Sequence, residues 1–355
     1  MLNNNFKVIG VMSGTSLDGL DFAYIHFHRK NESWDFKILK AETFGYDDKW
    51  RSKLNNAFLF NKEELDVLNK EYTSFLATQI KLFIAKNEIQ DIDAICSHGH
   101  TILHEPEEGF TLQIGNLPEI ALLLKETVVC DFRVQDVQLG GQGAPLVPIG
   151  DELLFSNYSY CLNLGGFSNI SFNEKGKRIA FDISPVNIVL NHYTESVGYH
   201  YDDKGKFAKS GVVNKQLLEE LNALDFYKKS FPKSLGKEFI QKEILPLISK
   251  YEISVNDILR TFVEHIAIQI TNVVTSNTSV LVTGGGAYNV FLIERLRFFK
   301  SNVDWVIPND DLIQFKEALL FGFLGILRLR NEVNVLSSVT GASKNHSSGI
   351  VYNYP

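Results

Sequence analysis

The chain has 355 residues, with Lys+Arg 35 against Asp+Glu 42 and a formal charge of −7. That length favours two domains of roughly 100–200 residues each and is ample for a large core. The acidic balance argues against a broad electrostatic grip on nucleic acid or an anionic membrane, and 45% hydrophobic with 22% charged residues is globular rather than disordered composition. Cys96, Cys130 and Cys161 are an odd, widely spaced set in apolar stretches, read as buried thiols rather than a disulfide or metal framework. No basic-then-apolar leader opens the chain, and the longest wholly apolar run, Ala318–Leu327, is too short to span a bilayer. A cytoplasmic protein with no membrane or nucleic-acid partner is expected.

In chain order, Phe6–Met12 reads as a strand, Ser13–Asp21 as a turn, and Phe22–Phe27 and Trp34–Ala41 as further strands, an antiparallel opening. A long helix follows from about Lys62 to Ala85. Asn61 with Glu64 makes a capping-box start, and Leu65, Leu68, Tyr72, Phe75, Leu76, Ile80 and Phe83 recur at helical spacing. Ala94–Cys96, Phe110–Ile114 and Thr127–Cys130 are short strands, with a helix near Leu117–Lys125. Gly140–Pro148 is the densest Gly/Pro cluster and the best candidate for a domain junction. The opening theme then recurs: strand Tyr158–Leu164, turn Gly165-Gly166, strand Phe167–Phe172 and a short strand Ile179–Phe181. Helices dominate from Pro185 to about Ser276. Strand Val280–Thr283, a Gly284-Gly285-Gly286 turn, a helix from about Tyr288 and a buried helix Gln314–Leu327 complete the pattern. Two α/β domains are expected, 1–142 and 143–330, the first open to completion by residues 331–355, with a cleft between them.

Several stretches can carry chemistry. Gly14, Thr15, Ser16, Leu17, Asp18, Gly19, Leu20 and Asp21 crowd one turn between strands. Its backbone N–H groups and hydroxyls can wrap phosphate oxygens, and a carboxylate such as Asp18 can hold Mg²⁺ through water. Gly165 and Gly166 occupy the equivalent turn of the second half. Gly284, Gly285, Gly286 and Asn289 follow a buried strand and open a helix, where unpaired N–H groups suit an anion, although neither the P-loop nor the dinucleotide-fold glycine spacing is present. Asp182 ends a short strand, and the competing reading makes it the N-cap of a helix starting near Pro185. Arg133 can clamp a carboxylate or phosphate; the competing reading is a surface pair with Asp131 or Asp136. His98, His100 and His104 lack Cys or acidic partners at zinc spacing, so they read as loop histidines lining a polar cleft.

The segments VIGVMSGTSLDGLD, SHGHTILHEP, TLQIGN, DFRVQDVQLGGQGAPLVP, LNLGGFSNISF and VTGGGAYN, in this order, closely resemble the anhydro-N-acetylmuramic acid kinase family, of the sugar-kinase, heat-shock-ATPase and actin superfamily. The resemblance runs from residue 8 to about 325 and implies two ribonuclease-H-like domains of the actin-like ATPase fold around a deep active-site cleft. It implies ATP and Mg²⁺ as cofactors and a small amino sugar as partner. The 1,6-anhydro bond of 1,6-anhydro-N-acetylmuramic acid would be hydrolysed and O6 phosphorylated, giving N-acetylmuramic acid 6-phosphate in cell-wall recycling. Gly14–Asp21 matches the family's ATP-binding segment and Asp182 its catalytic aspartate. Arg133 is the candidate for the lactyl carboxylate, with Thr101 and Glu317 as further substrate candidates. Where the family usually has Thr-Gly-Pro-Gly-Asn after that aspartate, this chain has Ile183-Ser184-Pro185-Val186-Asn187, and His100 replaces the usual Gln. The Ile183–Val186 departure motivates one alternative, a nucleotide-gated binding or sensor protein without turnover; a kinase of another sugar is the second. The residues leave open whether the chain forms a homodimer.

Overall fold

β1 (Asn5–Ser13), β2 (Gly19–Lys30) and β3 (Ser33–Gly45) form the expected antiparallel opening and run longer than the apolar pattern implied. β1 pairs in parallel with β4 (Ala94–Glu105), on which β5 (Phe110–Ile114) folds back, and β4 pairs in parallel with β6 (Val128–Cys130). The order β3-β2-β1-β4-β6, antiparallel on one side of β1 and parallel on the other, is the ribonuclease-H-like arrangement. β1 is buried almost throughout, as a strand covered on both faces must be. Ile9, Val11 and Phe22 share a core with Leu68, Tyr72, Leu76, Ile80 and Phe83 of the helix Lys62–Lys86. That helix starts as the sequence predicts: Asn61 accepts the Glu64 N–H, and the Glu64 carboxylate accepts the Asn61 N–H. Replacing Asn61 by Ala should cost about 1 kcal/mol of stability, read as a lower denaturation midpoint with unchanged activity.

In the computed structural model residues 4–14 and 17–354 are described. One unit comprises residues 1–154 with 315–355 and the other residues 155–314. In the second unit β7 (Tyr160–Leu164), β8 (Phe167–Glu174) and β9 (Lys177–Pro185) are antiparallel, while β10 (Ser279–Thr283) and β11 (Asp304–Val306) add in parallel beside β7. The order β9-β8-β7-β10-β11 repeats the first unit's arrangement. The helix Val255–Val273, capped by Ser254, supplies Leu259, Phe262, Val263 and Ile266 to this unit's core.

The unit boundaries differ from those expected. The Gly/Pro-rich stretch is held inside the first unit: the Gly143 N–H donates to Asp136 Oδ2 at 2.7 Å and the Gln142 N–H to the Thr340 carbonyl at 2.8 Å. Glycine and proline there shape an anchored loop rather than a linker, and the crossing comes after Leu154. The return falls inside the helix Asp310–Leu329, at Phe315, where the backbone leaves helical geometry (φ −110°, ψ 15°). Cys96, Cys130 and Cys161 are buried thiols, as expected. Among the described residues no helix is long and apolar enough to cross a membrane.

Candidate active site

In the first unit the sequence-predicted residues gather where parallel β1, β4 and β6 end, the edge at which open α/β sheets bind ligands. After β1 the chain turns with Leu17 in the left-handed region (φ 61°), its N–H donating to the Gly14 carbonyl at 3.3 Å. Thr15 and Ser16 lie outside the described residues. Asp18 is exposed, whereas the Leu20 side chain is buried in the core. Gly19 answers to packing: a Cβ there would lie 2.4 Å from the Phe44 carbonyl oxygen of β3. Asp21 accepts the Thr43 hydroxyl at 2.6 Å, and burial raises its proton affinity.

The run Ser97–His104 is not a loop but part of β4, and His98 and His100 are buried in it. Strand pairing with β1 and β5 extends well beyond the apolar residues that suggested a three-residue strand. His100 Nδ1 lies 2.7 Å from Ser13 Oγ, which in turn lies 2.7 Å from the Tyr46 hydroxyl; Tyr46 bonds Tyr72. Burial lowers the His100 pKa to about 4 and pushes Tyr46 up to about 12, so this chain stays uncharged at neutral pH while it fixes the end of β1.

His98 donates from Nδ1 to the Gly99 carbonyl at 2.9 Å, which leaves Nε2 to accept the Arg133 Nε–H, also at 2.9 Å. Arg133 Nη1 donates to the Gly143 carbonyl at 2.7 Å. The surface pair of Arg133 with Asp131 or Asp136 is not formed: Asp136 is fully buried, and its carboxylate accepts the Gly143 N–H and the Thr340 hydroxyl. Protein crowded around Arg133 lowers its pKa to about 10, against the pull of Glu317 and Asp136, so the guanidinium remains charged. Glu317 is ringed by protein, which raises its proton affinity, yet water still reaches it; Arg133 opposes the rise and Asp21 adds to it. Arg133, Glu317 and Asp21 thus share one electrostatic neighbourhood. Thr101 stands beside His100 on β4 and accepts from Gln113 Nε2 at 3.4 Å, but among the described residues no bond links it to Arg133 or Glu317.

The second unit assembles its own set at the ends of β7 and β10. The β7–β8 turn and the Gly284–Gly286 segment pack together: Gly284 has φ +81°, and a Cβ on it would lie 2.4 Å from Asn163 Oδ1 and 2.9 Å from Leu164. Gly285 and Gly166 are open, with nothing nearer than 3.7 Å to an added Cβ. The glycines do not open the helix directly. A 3₁₀ turn, Gly285–Tyr288, intervenes, and the α-helix starts at Val290 with Asn289 as its cap, accepting the Leu292 N–H at 3.0 Å. Asn289 is therefore a buried structural residue of the turn.

Asp182 lies in β9 opposite Asn169, half-buried. The N-cap reading fails, because the helix begins at Asn187 and its flanking residue is Val186. Asp182 Oδ2 instead accepts the Leu235 N–H at 2.8 Å. Burial raises its proton affinity and the Leu235 bond lowers it. The altered stretch ends at Val186, whose N–H, with those of the next two residues, binds the β7–β8 turn. The Val186 and Ile188 N–H groups donate to the Gly166 carbonyl at 2.8 and 3.3 Å, and Asn187 N–H to Gly165 at 3.3 Å, so these amides tie the helix to the turn.

Among the described residues no cluster of three or more His, Cys, Asp or Glu could hold a resident metal. Mg²⁺ carried on nucleotide phosphates asks for less, one or two carboxylates with water, and the exposed Asp18 with Asp21, which interact electrostatically, fit that demand. Sequence reasoning missed Ser13, Tyr46 and Leu235, read Tyr72 only as a core position, and placed His98 at a polar cleft without its bond to Arg133.

The family model described as anhydro-N-acetylmuramic acid kinase matches residues 6–354. An anhydro-N-acetylmuramic acid kinase of Hydrogenovibrio crunogenus is 34% identical over 363 residues, covering 97% of each chain, and one of Sulfurimonas denitrificans is 33% identical over 372 residues, covering 97% of this chain and 98% of its own. Among solved structures, the activator of the 2-hydroxyisocaproyl-CoA dehydratase from Clostridium difficile with bound ADPNP is 12% identical, with a TM-score of 0.44 over 91% of this chain and 96% of its own. With a full-length family match and relatives of this identity, the chain belongs to the anhydro-N-acetylmuramic acid kinase family.

Proposed function

We propose that the chain carries out the reaction for which its family is named, with Asp182 as general base and Arg133 as the anchor for the sugar's carboxylate. The observation that carries this is the setting of Asp182: a half-buried carboxylate with one oxygen already bonded, no cation among the influences on its proton, and no capping duty. A carboxylate so placed can take a proton from water. Water then forms a bond to C1 of the anhydro sugar, the C1–O6 bond breaks, and O6 bonds to the γ-phosphorus of ATP as the β–γ bridging bond breaks and ADP leaves. The proton from water rests on Asp182.

The remaining work is positioning, which supplies most of the catalysis in phosphoryl transfer. Gly14 to Asp18 in the first unit, and Gly165, Gly166, Gly284, Gly285 and Gly286 in the second, are the backbone stretches offered to the nucleotide; Asn289 and Gly19 support them. Asp18 and Asp21 would hold Mg²⁺, which when bound neutralises charge developing on the phosphates. Arg133 keeps one face for a carboxylate because Nε and Nη1 are spent on His98 and Gly143, and Glu317 and Thr101 line the same unit. Use of ATP supports a cytoplasmic location.

The reaction should be run in ¹⁸O-labelled water with ATP and 1,6-anhydro-N-acetylmuramic acid. Label is expected at the anomeric oxygen of a product heavier by one phosphate, before exchange. Label in inorganic phosphate alone would mean simple ATP hydrolysis and defeat the coupled mechanism.

A further inference from the structure

β9 is the edge strand of the second sheet, so its outward backbone groups have no strand to pair with. Residues 229–236 run along that edge. The Phe231 ring stacks on Phe181 (5.4 Å between centroids, 9° between planes) and stands edge-on to Phe172 at 6.3 Å. The Lys233 ammonium lies 4.7 Å from the centre of the Phe226 ring. Two bonds from this strap converge on one residue: the Lys233 carbonyl accepts the Asp182 N–H at 3.1 Å, and the Leu235 N–H donates to Asp182 Oδ2 at 2.8 Å. Covering an edge explains the first bond. It does not explain the second, which reaches past the backbone to a carboxylate.

We propose that Leu235 is a positioning residue: its backbone N–H, held out by the aromatic-anchored strap, pins Oδ2 of Asp182 and so presents Oδ1 to the water that is deprotonated. The inference rests on the reading of Asp182 as general base. An N–H bonded to the charged form of a carboxylate also stabilises that form, so the strap opposes the rise in proton affinity that burial causes at Asp182. Besides Asp182, the titratable groups on β9, β8, the strap and the helix Val255–Val273 are Glu174, Lys177, Arg178, Lys229, Lys233, Asp257, Arg260, Glu264 and His265. None enters the balance at Asp182, which is burial against the Leu235 amide.

The test removes the donor and leaves the carboxylate. Leu235→Pro does so genetically. Replacing Leu235 by its α-hydroxy acid, which turns the amide into an ester while retaining side chain and chain direction, does so if the proline variant does not fold. Turnover of ATP with the anhydro sugar is followed against pH, beside the parent and Asp182→Asn. The acidic limb of kcat should move up by about one pH unit, with the neutral plateau retained. A limb that coincides with the parent's in a folded ester variant, while Asp182→Asn is inactive, overturns the positioning role and leaves the general base standing. Near-normal turnover in Asp182→Asn overturns both.

Discussion

Asp182→Asn should lower turnover by about 10²–10⁴-fold and leave the melting temperature close to the parent's. Asn keeps the size of the side chain, and its Oδ1 can still accept the Leu235 N–H that Asp182 Oδ2 now accepts. The strap therefore stays in place and the fold loses little. What disappears is basicity: a carboxamide cannot hold the proton released when water attacks C1. Binding of ATP and of the sugar, measured separately by calorimetry, should persist. The cap reading would have predicted near-normal turnover, but the helix starts five residues later at Asn187. Near-normal turnover would therefore point to a different base altogether.

Arg133→Ala should weaken binding of the acid-bearing sugar by about 1.5–3 kcal/mol, the range for a hydrogen bond to a charged group, or roughly 10–150-fold in Kd. An analogue without the lactyl group should lose little. Arg133→Lys should not restore affinity, because a single ammonium cannot bond His98 Nε2 and the Gly143 carbonyl and still face a carboxylate with a planar fork. Equal losses for both sugars would show that Arg133 serves only to hold the 140–143 loop. The melting temperature separates that case, since removing the guanidinium orphans two acceptors beside a packed Phe321.

The antiparallel opening and its recurrence in the second half were legible because glycine-rich turns divided short apolar runs twice in the same rhythm. Strand ends were less so: β4 continues through His98, His100 and Thr101 because its neighbours satisfy its backbone, which no apolar count can reveal. The glycines of the candidate site were visible in the sequence, but not their division of labour. Gly19 and Gly284 make room for protein backbone and a side chain, whereas Gly166 and Gly285 remain open. Partners distant in sequence stayed hidden. Nothing local links Arg133 to His98, Ser13 to Tyr46, or Asp182 to an amide 53 residues downstream. The junction was misplaced because a Gly/Pro cluster looks the same whether it is free or pinned by a buried carboxylate such as Asp136.

The excursion of the chain, out of the first unit after Leu154 and back at Phe315, fixes the order in which the protein can be completed during synthesis. Residues 155–314 form an unbroken stretch with its own five-stranded sheet. The first unit instead needs residues 315–352, which are made after the second unit. Phe323 packs on Phe27 and Trp34, Phe321 on His98 and Phe132, and the strand Ile350–Tyr352 closes the sheet edge at β6. The usual rule that the N-terminal domain matures first during translation is reversed here. The unit begun first is completed only when residues 315–352 have been made.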